Sequence, residues 1–132
     1  LSFYVPAILG IRFLPALVVS FFITDLIIGF HGVTLFTWGS IILIGFMSRF
    51  FIANMKTRIS GALIGALVFF AITNFGVWSL GSYGHTIEGL IVCYTLAVPF
   101  FGYTVISTII FSGLFETFLQ RKILFKKYIY KD

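Results

Sequence analysis

Six residues in this largely apolar sequence are candidates for binding a small molecule: two carboxylates, an amide, an imidazole, an indole and a phenol. They are Asp25, Asn74, Trp78, His85, Glu88 and Tyr94. Aromatic rings offer a ligand a stacking surface, and a few polar groups fix its orientation. The residues therefore predict a ligand-binding site, provided that the fold brings them together.

Several of these residues also have a purely structural interpretation. Asp25 is able to pair with His31 across a turn, and the helix dipole favours Glu88 at the start of a helix. Tryptophans such as Trp78 are enriched at membrane–water interfaces. Cys93 is more typical of a small buried apolar group than of a nucleophile. Both interpretations stay open from the sequence alone.

Catalytic signatures are missing from the sequence. It holds no Ser-His-Asp order, no HExxH motif, no carboxylate pair at one depth and no P-loop. Cys93 is the single cysteine, which excludes an internal disulfide and gives no metal-ligand spacing. We expect no enzyme activity, no metal and no cofactor. Any active transport would be energised by separate subunits or by an ion gradient.

Composition places the chain in a lipid bilayer. The 132 residues are 60% hydrophobic and 10% charged, whereas soluble domains are about 25% charged. The charges are bunched between apolar runs of the length that a spanning helix needs. The net charge of +5 does not indicate nucleic-acid binding, because the basic residues stand at segment ends, where they meet cytoplasm and anionic lipid headgroups.

Apolar runs between breaking residues predict an all-α membrane bundle of about five transmembrane helices, the first one truncated. The expected spans are Ser2–Leu9 (truncated), Phe13–Phe30, Leu35–Ile52, Ile59–Leu80 and Tyr103–Leu119. We expect a transmembrane helical bundle over residues 1–120 and a basic cytoplasmic tail over residues 121–132. Since the chain opens without Met directly in apolar sequence, we expect it to be part of a longer protein.

The short stretch Thr86–Phe101 decides the topology. If Arg12, the basic loop Arg49–Arg58 and the tail all face the cytoplasm, this stretch enters and leaves on the outer side as a re-entrant half-helix. The alternative is a full extra crossing, which would put the basic tail outside. With the first arrangement, the six candidate residues converge on the outer side and form an outward-opening pocket.

Two contacts between residues are expected inside the bundle. Gly61 and Gly65 belong to a small-residue face that lets helices approach closely, which we interpret as packing within one bundle. Glu116 precedes Arg121 by about one turn, and we expect these two side chains to pair.

Two groups of residues carry a resemblance to a known family. The run Thr73-Asn74-Phe75-Gly76-Val77-Trp78, followed by His85-Thr86, Gly89-Leu90, Cys93-Tyr94 and Pro99-Phe100-Phe101, resembles a family of small uncharacterised bacterial membrane proteins. The segment from Ser20 through Asp25 to Gly29-Phe30-His31 resembles the family's Ser/Thr-Asp-Leu-x-x-Gly-Phe-His motif. That family is in turn similar to the substrate-capture (S) components of energy-coupling-factor transporters.

The resemblance implies a function and partners. S components are six-helix proteins of the bacterial cytoplasmic membrane with both termini in the cytoplasm. They bind a vitamin-like nutrient near the outer face and dock through their first helix on a transmembrane coupling subunit driven by ATPases. A docking helix cannot be recognised here, and the re-entrant stretch is not general among S components. The alternative that the sequence leaves open is a small accessory subunit of a larger membrane complex.

Overall fold

The structure, a computed structural model, describes residues 2–129, and it describes the side chains of residues 2–121. Within that range the chain is all-helical. The helices are α1 (Tyr4–Leu9), α2 (Leu14–Ile28), α3 (Thr34–Ser48), α4 (Met55–Ser79) and α5 (Ile87–Ile129). Two short 3₁₀ turns, Ile11–Phe13 and Arg49–Phe51, precede α2 and follow α3.

Local chemistry fixes several helix ends. Pro15 lies in the first turn of α2, where its missing N–H costs nothing. Gly29 ends that helix with a φ of 106°, a conformation that glycine adopts without strain. At the start of α4, the Asn54 side chain accepts a hydrogen bond from the Thr57 backbone N–H at 3.0 Å, and Thr57 Oγ1 accepts one from the Asn54 N–H. This capping box satisfies backbone donors that the first turn leaves free.

Four helical segments are long and apolar enough to cross a membrane. They are Ile11–Ile28, Thr34–Phe51, Met55–Ser79 and Ile87–Arg121. The first three agree with three of the predicted spans to within a few residues. The predicted truncated span over Ser2–Leu9 corresponds to the six-residue helix α1.

The predicted re-entrant half-helix is wrong, and so is the extra crossing. The stretch Thr86–Phe101 and the predicted last span belong to one helix of 43 residues, α5. Pro99 lies inside this helix, where it removes one backbone hydrogen bond without ending the helix. The break lies earlier, at Gly81 and Gly84, which both have positive φ. The proposed boundary of the basic tail at residue 121 falls within α5, and the side chains after Arg121 lie outside the described residues.

Helix α4 lies at the centre of the bundle, with α3 and α5 packed on it and α2 packed on α3. The connections between the long helices lie at two opposite ends of the bundle. We call the end with the turns 29–33 and 80–86 the aromatic end, and the end with residues 10–13 and 49–54 the basic end. Helix α1 packs at the basic end against α3 and α4.

The small-residue face of α4 packs within the chain, as predicted. Gly61 lies against the Phe3 and Phe51 side chains, and Gly65 lies against Ile44. A Cβ atom added at Gly61 would stand 2.6 Å from the Phe3 ring. The glycines therefore allow α1 and α3 to approach α4 closely.

Candidate functional site

The predicted site residues fall into separate groups at the aromatic end. Asp25 on α2 accepts a hydrogen bond at its Oδ2 from Trp38 Nε1 on α3, at 2.7 Å. The Trp38 ring also makes edge contacts with Phe22 and Phe30, at centroid distances of 5.8 and 6.3 Å. Asp25 therefore takes Trp38 as its partner in place of His31, and this contact joins α2 to α3.

Trp78 and His85 hold the turn between α4 and α5. Trp78 Nε1 donates a hydrogen bond to the Thr86 carbonyl at 3.1 Å, and His85 Nε2 lies 3.1 Å from the Ser79 carbonyl. A carbonyl oxygen only accepts, so this His85 nitrogen is the protonated donor. The two rings stand 6.3 Å apart in an edge arrangement. Both side chains thus use their polar atoms to close the turn.

Asn74 and Tyr94 lie where α4 and α5 pack together. The Tyr94 hydroxyl donates to the Ala71 carbonyl at 2.6 Å, and Cys93 Sγ donates to the Asn74 carbonyl at 3.4 Å. The Asn74 side chain donates to the Phe70 carbonyl of its own helix at 2.8 Å. These polar groups satisfy backbone carbonyls of α4 and tie α5 to it.

Glu88 is exposed in the first turn of α5. Its neighbour Thr86 accepts a hydrogen bond from the Gly89 backbone N–H at 3.0 Å and so caps the helix. A carboxylate at this position interacts favourably with the helix dipole. The structure thus brings Trp78 close to His85, and it places Asn74 and Tyr94 where α4 packs on α5. Asp25 instead contacts Trp38 on α3.

A cavity of about 280 Å³, which we call the central cavity, lies among the four long helices between the middle of the bundle and the basic end. It is open to the surface of the bundle, and Ser107 and Phe111 of its lining are exposed. One face of α4 and one face of α5 form most of its wall, since the residues of each recur at helical spacing. From α4 these are Ala62, Gly65, Ala66 and Phe69, and from α5 they are Thr104, Ser107, Thr108 and Phe111. Phe21, Ile41, Ile44, Ser2 and Phe3 complete the lining. None of the six sequence-predicted residues lines this cavity.

The polar atoms of the central cavity are hydroxyls. Thr104 Oγ1 donates to the Phe100 carbonyl and Ser107 Oγ donates to the Thr104 carbonyl, both at 3.0 Å. Their protons are thus used inside α5, while their oxygen lone pairs stay able to accept hydrogen bonds. Among the described residues, the lining includes no charged side chain. This site was not predicted from the sequence, because the candidates there were ionisable and aromatic residues, whereas the polar side chains of this site are serines and threonines.

The basic end contains a buried ion pair between α4 and α5. Arg58 Nε donates to Glu116 Oε1 at 2.7 Å, and Arg58 Nη2 donates to Glu116 Oε2 at 2.6 Å. The expected pairing of Glu116 with Arg121 is therefore wrong: Arg121 is exposed, whereas Glu116 is fully buried. A buried carboxylate needs a nearby cation with matching geometry, and the planar guanidinium of Arg58 provides it.

Two buried hydroxyls lie beside this ion pair. Tyr4 is 3% exposed and Ser112 is 2% exposed, and neither hydroxyl makes a hydrogen bond of good geometry to a described residue. The polar neighbours of the Tyr4 hydroxyl are Ser112, Glu116 and Arg58. The Tyr4 ring stacks on Phe115 at a centroid distance of 5.1 Å, which holds α1 against α5.

Metal binding has no support among the residues that the structure describes, since no three His, Cys, Asp or Glu side chains gather there. The single cysteine is buried, and its thiol donates to a backbone carbonyl. Two candidate sites in the described part of the fold are the central cavity and the Arg58–Glu116 cluster.

Comparison with known proteins places the chain in a family. The comparisons with curated proteins and with solved structures found no match. A family model described as a family of unknown function, DUF6580, matches residues 10–127, which include α2, α3, α4 and most of α5. The chain therefore belongs to the DUF6580 family.

Proposed function

We propose that the chain is a multi-pass protein of the bacterial cytoplasmic membrane, with its basic end and its C-terminus in the cytoplasm. Large apolar side chains are exposed on all four long helices, among them Ile27 at 81%, Leu35 at 77%, Leu67 at 52% and Phe100 at 72%. Such a surface is unfavourable in water and suits bilayer hydrocarbon. Every described Lys and Arg lies at the basic end, and cytoplasmic segments are enriched in these residues.

Within that membrane, we propose that the chain is a substrate-binding subunit of a transport system, similar to an S component, that captures a small nutrient. The observation that carries this proposal is the central cavity. Ligand pockets begin at about 300 Å³ and combine apolar walls with a few polar groups. With about 280 Å³ the central cavity lies just below this volume, and it combines apolar walls with hydroxyls on one side.

The lining determines the ligand chemistry that we propose. An ionised ligand would have no opposite charge in the central cavity, and burying an unpaired charge is costly. The free lone pairs of Thr104 and Ser107 favour a ligand that donates hydrogen bonds. The ligand is thus a small uncharged molecule, largely apolar, with N–H or O–H groups along one edge.

The sequence-predicted residues fit this proposal because they lie on the outer side of the central cavity. Tyr94 precedes Thr104 by ten positions on α5, or about 15 Å of helix. A ligand that arrives from the outer side therefore passes the level of Asn74, Tyr94 and Trp78 before it reaches the central cavity.

Native mass spectrometry of the protein, extracted gently from its own membrane, tests the proposal. We expect a bound small molecule of defined mass. Thr108→Val removes a hydroxyl from the central cavity, and Ala66→Leu fills part of it, so each variant should lose the bound mass. Thr117→Val is the matched control, because Thr117 is exposed on α5 and donates to the Gly113 carbonyl.

The double variant Asn74→Ala/Glu88→Ala tests the outer residues in the same way. Loss of the bound mass in this variant alone would move the binding site to the aromatic end. A protein without any bound small molecule, in a stable assembly with other membrane subunits, would contradict the transport proposal.

A second candidate function, an accessory subunit of a larger membrane complex, is favoured by the length of α5. Residues 117–129 continue the helix beyond Glu116 for about 20 Å. A helix of this length reaches past the basic end and is available to a partner. Copurification with one stoichiometric complex would support this function.

A further inference from the structure

Another cavity lies at the basic end between α1 and α5, and we call it the α1–α5 groove. Its volume is about 190 Å³. Each wall follows one face of a helix, since its residues recur at helical spacing. The lining includes Tyr4, Ile8 and Leu9 from α1 and Phe115, Phe118 and Leu119 from α5. None of these residues lines the central cavity, so the two cavities are separate.

The walls of the groove are apolar. Among the described lining residues, Tyr4 alone carries a polar side-chain group, and its hydroxyl lies beside Ser112 and Glu116. The tyrosine therefore contributes its ring to the groove. Two wall residues are open to the surroundings, Leu9 at 52% and Phe118 at 68% exposure. In a bilayer this opening faces hydrocarbon, and the groove suits an apolar chain.

Cations follow both walls of the groove in the sequence. Arg12 follows Leu9 by three residues, and Arg121 follows Leu119 by two. Two residues correspond to about 3 Å along α5, so the Arg121 side chain is able to reach the end of the groove. Both arginines are exposed. An apolar chain in the groove would therefore have positive charge next to one of its ends.

Among the described residues, the basic end has no exposed carboxylate that could neutralise these cations. Glu116 is fully buried and paired with Arg58, and Asp25 and Glu88 lie at the aromatic end. The exposed cations of the basic end are Arg12, Arg49, Lys56 and Arg121. The charge around the groove thus complements an anionic partner.

We propose that the α1–α5 groove binds one anionic phospholipid of the cytoplasmic leaflet. One acyl chain lies along the apolar walls, and the phosphate lies at the level of Arg12 and Arg121. Basic pockets between membrane helices on the cytoplasmic side bind anionic headgroups. A helix of a partner protein would also cover the apolar walls, but the exposed cations beside them favour a lipid. This site uses the membrane location proposed above and does not depend on the transport function.

Native mass spectrometry of the purified, delipidated protein tests the proposal. The probe is an equimolar mixture of dioleoylphosphatidylglycerol, which is anionic, and dioleoylphosphatidylcholine, which is zwitterionic and has the same chains. We expect one phosphatidylglycerol to stay bound at lipid concentrations at which phosphatidylcholine does not. The masses of both lipids are known, so this adduct is distinguished from a nutrient in the central cavity. Equal retention of the two lipids would overturn the proposal.

Leu9→Trp tests the position of the acyl chain. The larger side chain fills part of the groove, so this variant should lose the bound phosphatidylglycerol. Leu67→Trp is the matched control, because Leu67 is also 52% exposed and lies on α4 outside the groove. Ala66→Leu, which fills part of the central cavity, should keep the lipid, so loss of lipid and loss of a nutrient are separate results. Equal lipid retention in the two tryptophan variants would overturn the proposal.

Arg121→Gln tests the headgroup contact. Removal of one cation near anionic headgroups should weaken the retention of phosphatidylglycerol about fivefold and leave that of phosphatidylcholine unchanged. Arg49→Gln removes the same charge from the turn after α3, whose residues do not line the groove, and should weaken retention less. Equal losses in the two variants would indicate a diffuse layer of headgroups around the basic end and would contradict a site at the groove.

Discussion

Arg58 and Glu116 stand 58 positions apart in the sequence and are joined by two hydrogen bonds, of 2.7 and 2.6 Å. The turn over residues 80–86 connects α4 to α5 at the aromatic end, and the ion pair connects the same two helices at the basic end. The helical hairpin is therefore closed covalently at one end and electrostatically at the other.

The two partners of this ion pair should differ in the cost of their removal. Arg58→Ala leaves a carboxylate that is 1% exposed, whereas Glu116→Ala leaves a guanidinium that is 20% exposed. Breaking a buried pair costs about 3–5 kcal/mol, and we expect Arg58→Ala to approach that range and Glu116→Ala to cost less. Thermal unfolding of the purified protein in detergent measures the difference.

The double variant Arg58→Met/Glu116→Leu is the control for this prediction. It leaves no unpaired charge, so it should be more stable than Arg58→Ala. Strictly additive losses for the two positions would contradict a direct interaction between them.

The bond between Trp38 and Asp25 should determine how firmly α2 is held. Helix α2 packs mainly against α3, and this bond of 2.7 Å is a polar contact between them. Trp38→Phe keeps a ring against Phe22 and Phe30. It removes the indole N–H, so the Asp25 carboxylate loses this hydrogen bond. We expect a loss of about 1–3 kcal/mol, measured as a lower midpoint of thermal unfolding.

Asp25→Asn separates this bond from the charge. The asparagine keeps an oxygen that accepts from the Trp38 indole, so its loss of stability should be smaller than that of Trp38→Phe. Equal losses would indicate that the charge of Asp25 matters more than its bond to Trp38.

The spans α2, α3 and α4 could be predicted because each is an apolar run bounded by charge or glycine. Helix α5 could not, since the glycines before residue 86 and Pro99 inside the helix carry similar breaking signals. Only tertiary packing against α4 decides which of them ends a helix. In the structure Gly81 and Gly84 form the turn, and Pro99 costs α5 a single hydrogen bond.

At the candidate site, the sequence predicts which residues carry polar groups but not which groups they bond. The sequence indicates that Trp78, His85 and Tyr94 have polar groups in need of partners at one end of the bundle. It does not indicate that these partners are backbone carbonyls, because carbonyl positions depend on how α4 and α5 pack. For the same reason the sequence does not predict the register that brings Arg58 to Glu116, and local spacing alone favours Arg121 as the partner of Glu116.

Gly89 should be the glycine at which the turn between α4 and α5 tolerates no side chain. A Cβ atom there would overlap the carbonyl oxygens of Tyr83 and Gly84, which belong to the backbone and cannot rotate away. We expect Gly89→Ala to lower the midpoint of thermal unfolding.

Gly102→Ala is the control: no described atom lies within 4 Å of its added Cβ, and alanine in a helix is favoured over glycine by up to about 1 kcal/mol. A loss of stability in both variants would point to helix α5 as the cause instead of the turn.

Cys93 reports whether water reaches the interface between α4 and α5. Cys93 is 2% exposed, and its thiol donates to the Asn74 carbonyl, one turn from the hydroxyl contact between Tyr94 and Ala71. A polar maleimide should therefore react slowly with the folded protein in detergent and fast once the protein is unfolded. Ser82→Cys in a Cys93→Ala background, at an exposed position of the turn, should react fast in the folded state.

Fast labelling of Cys93 in the folded protein would mean that the side chains around Asn74 and Tyr94 surround a water-filled pocket, and the ligand would then belong at the aromatic end. Slow labelling would mean that these groups serve to join two helices, and the central cavity would be the place where a ligand is held.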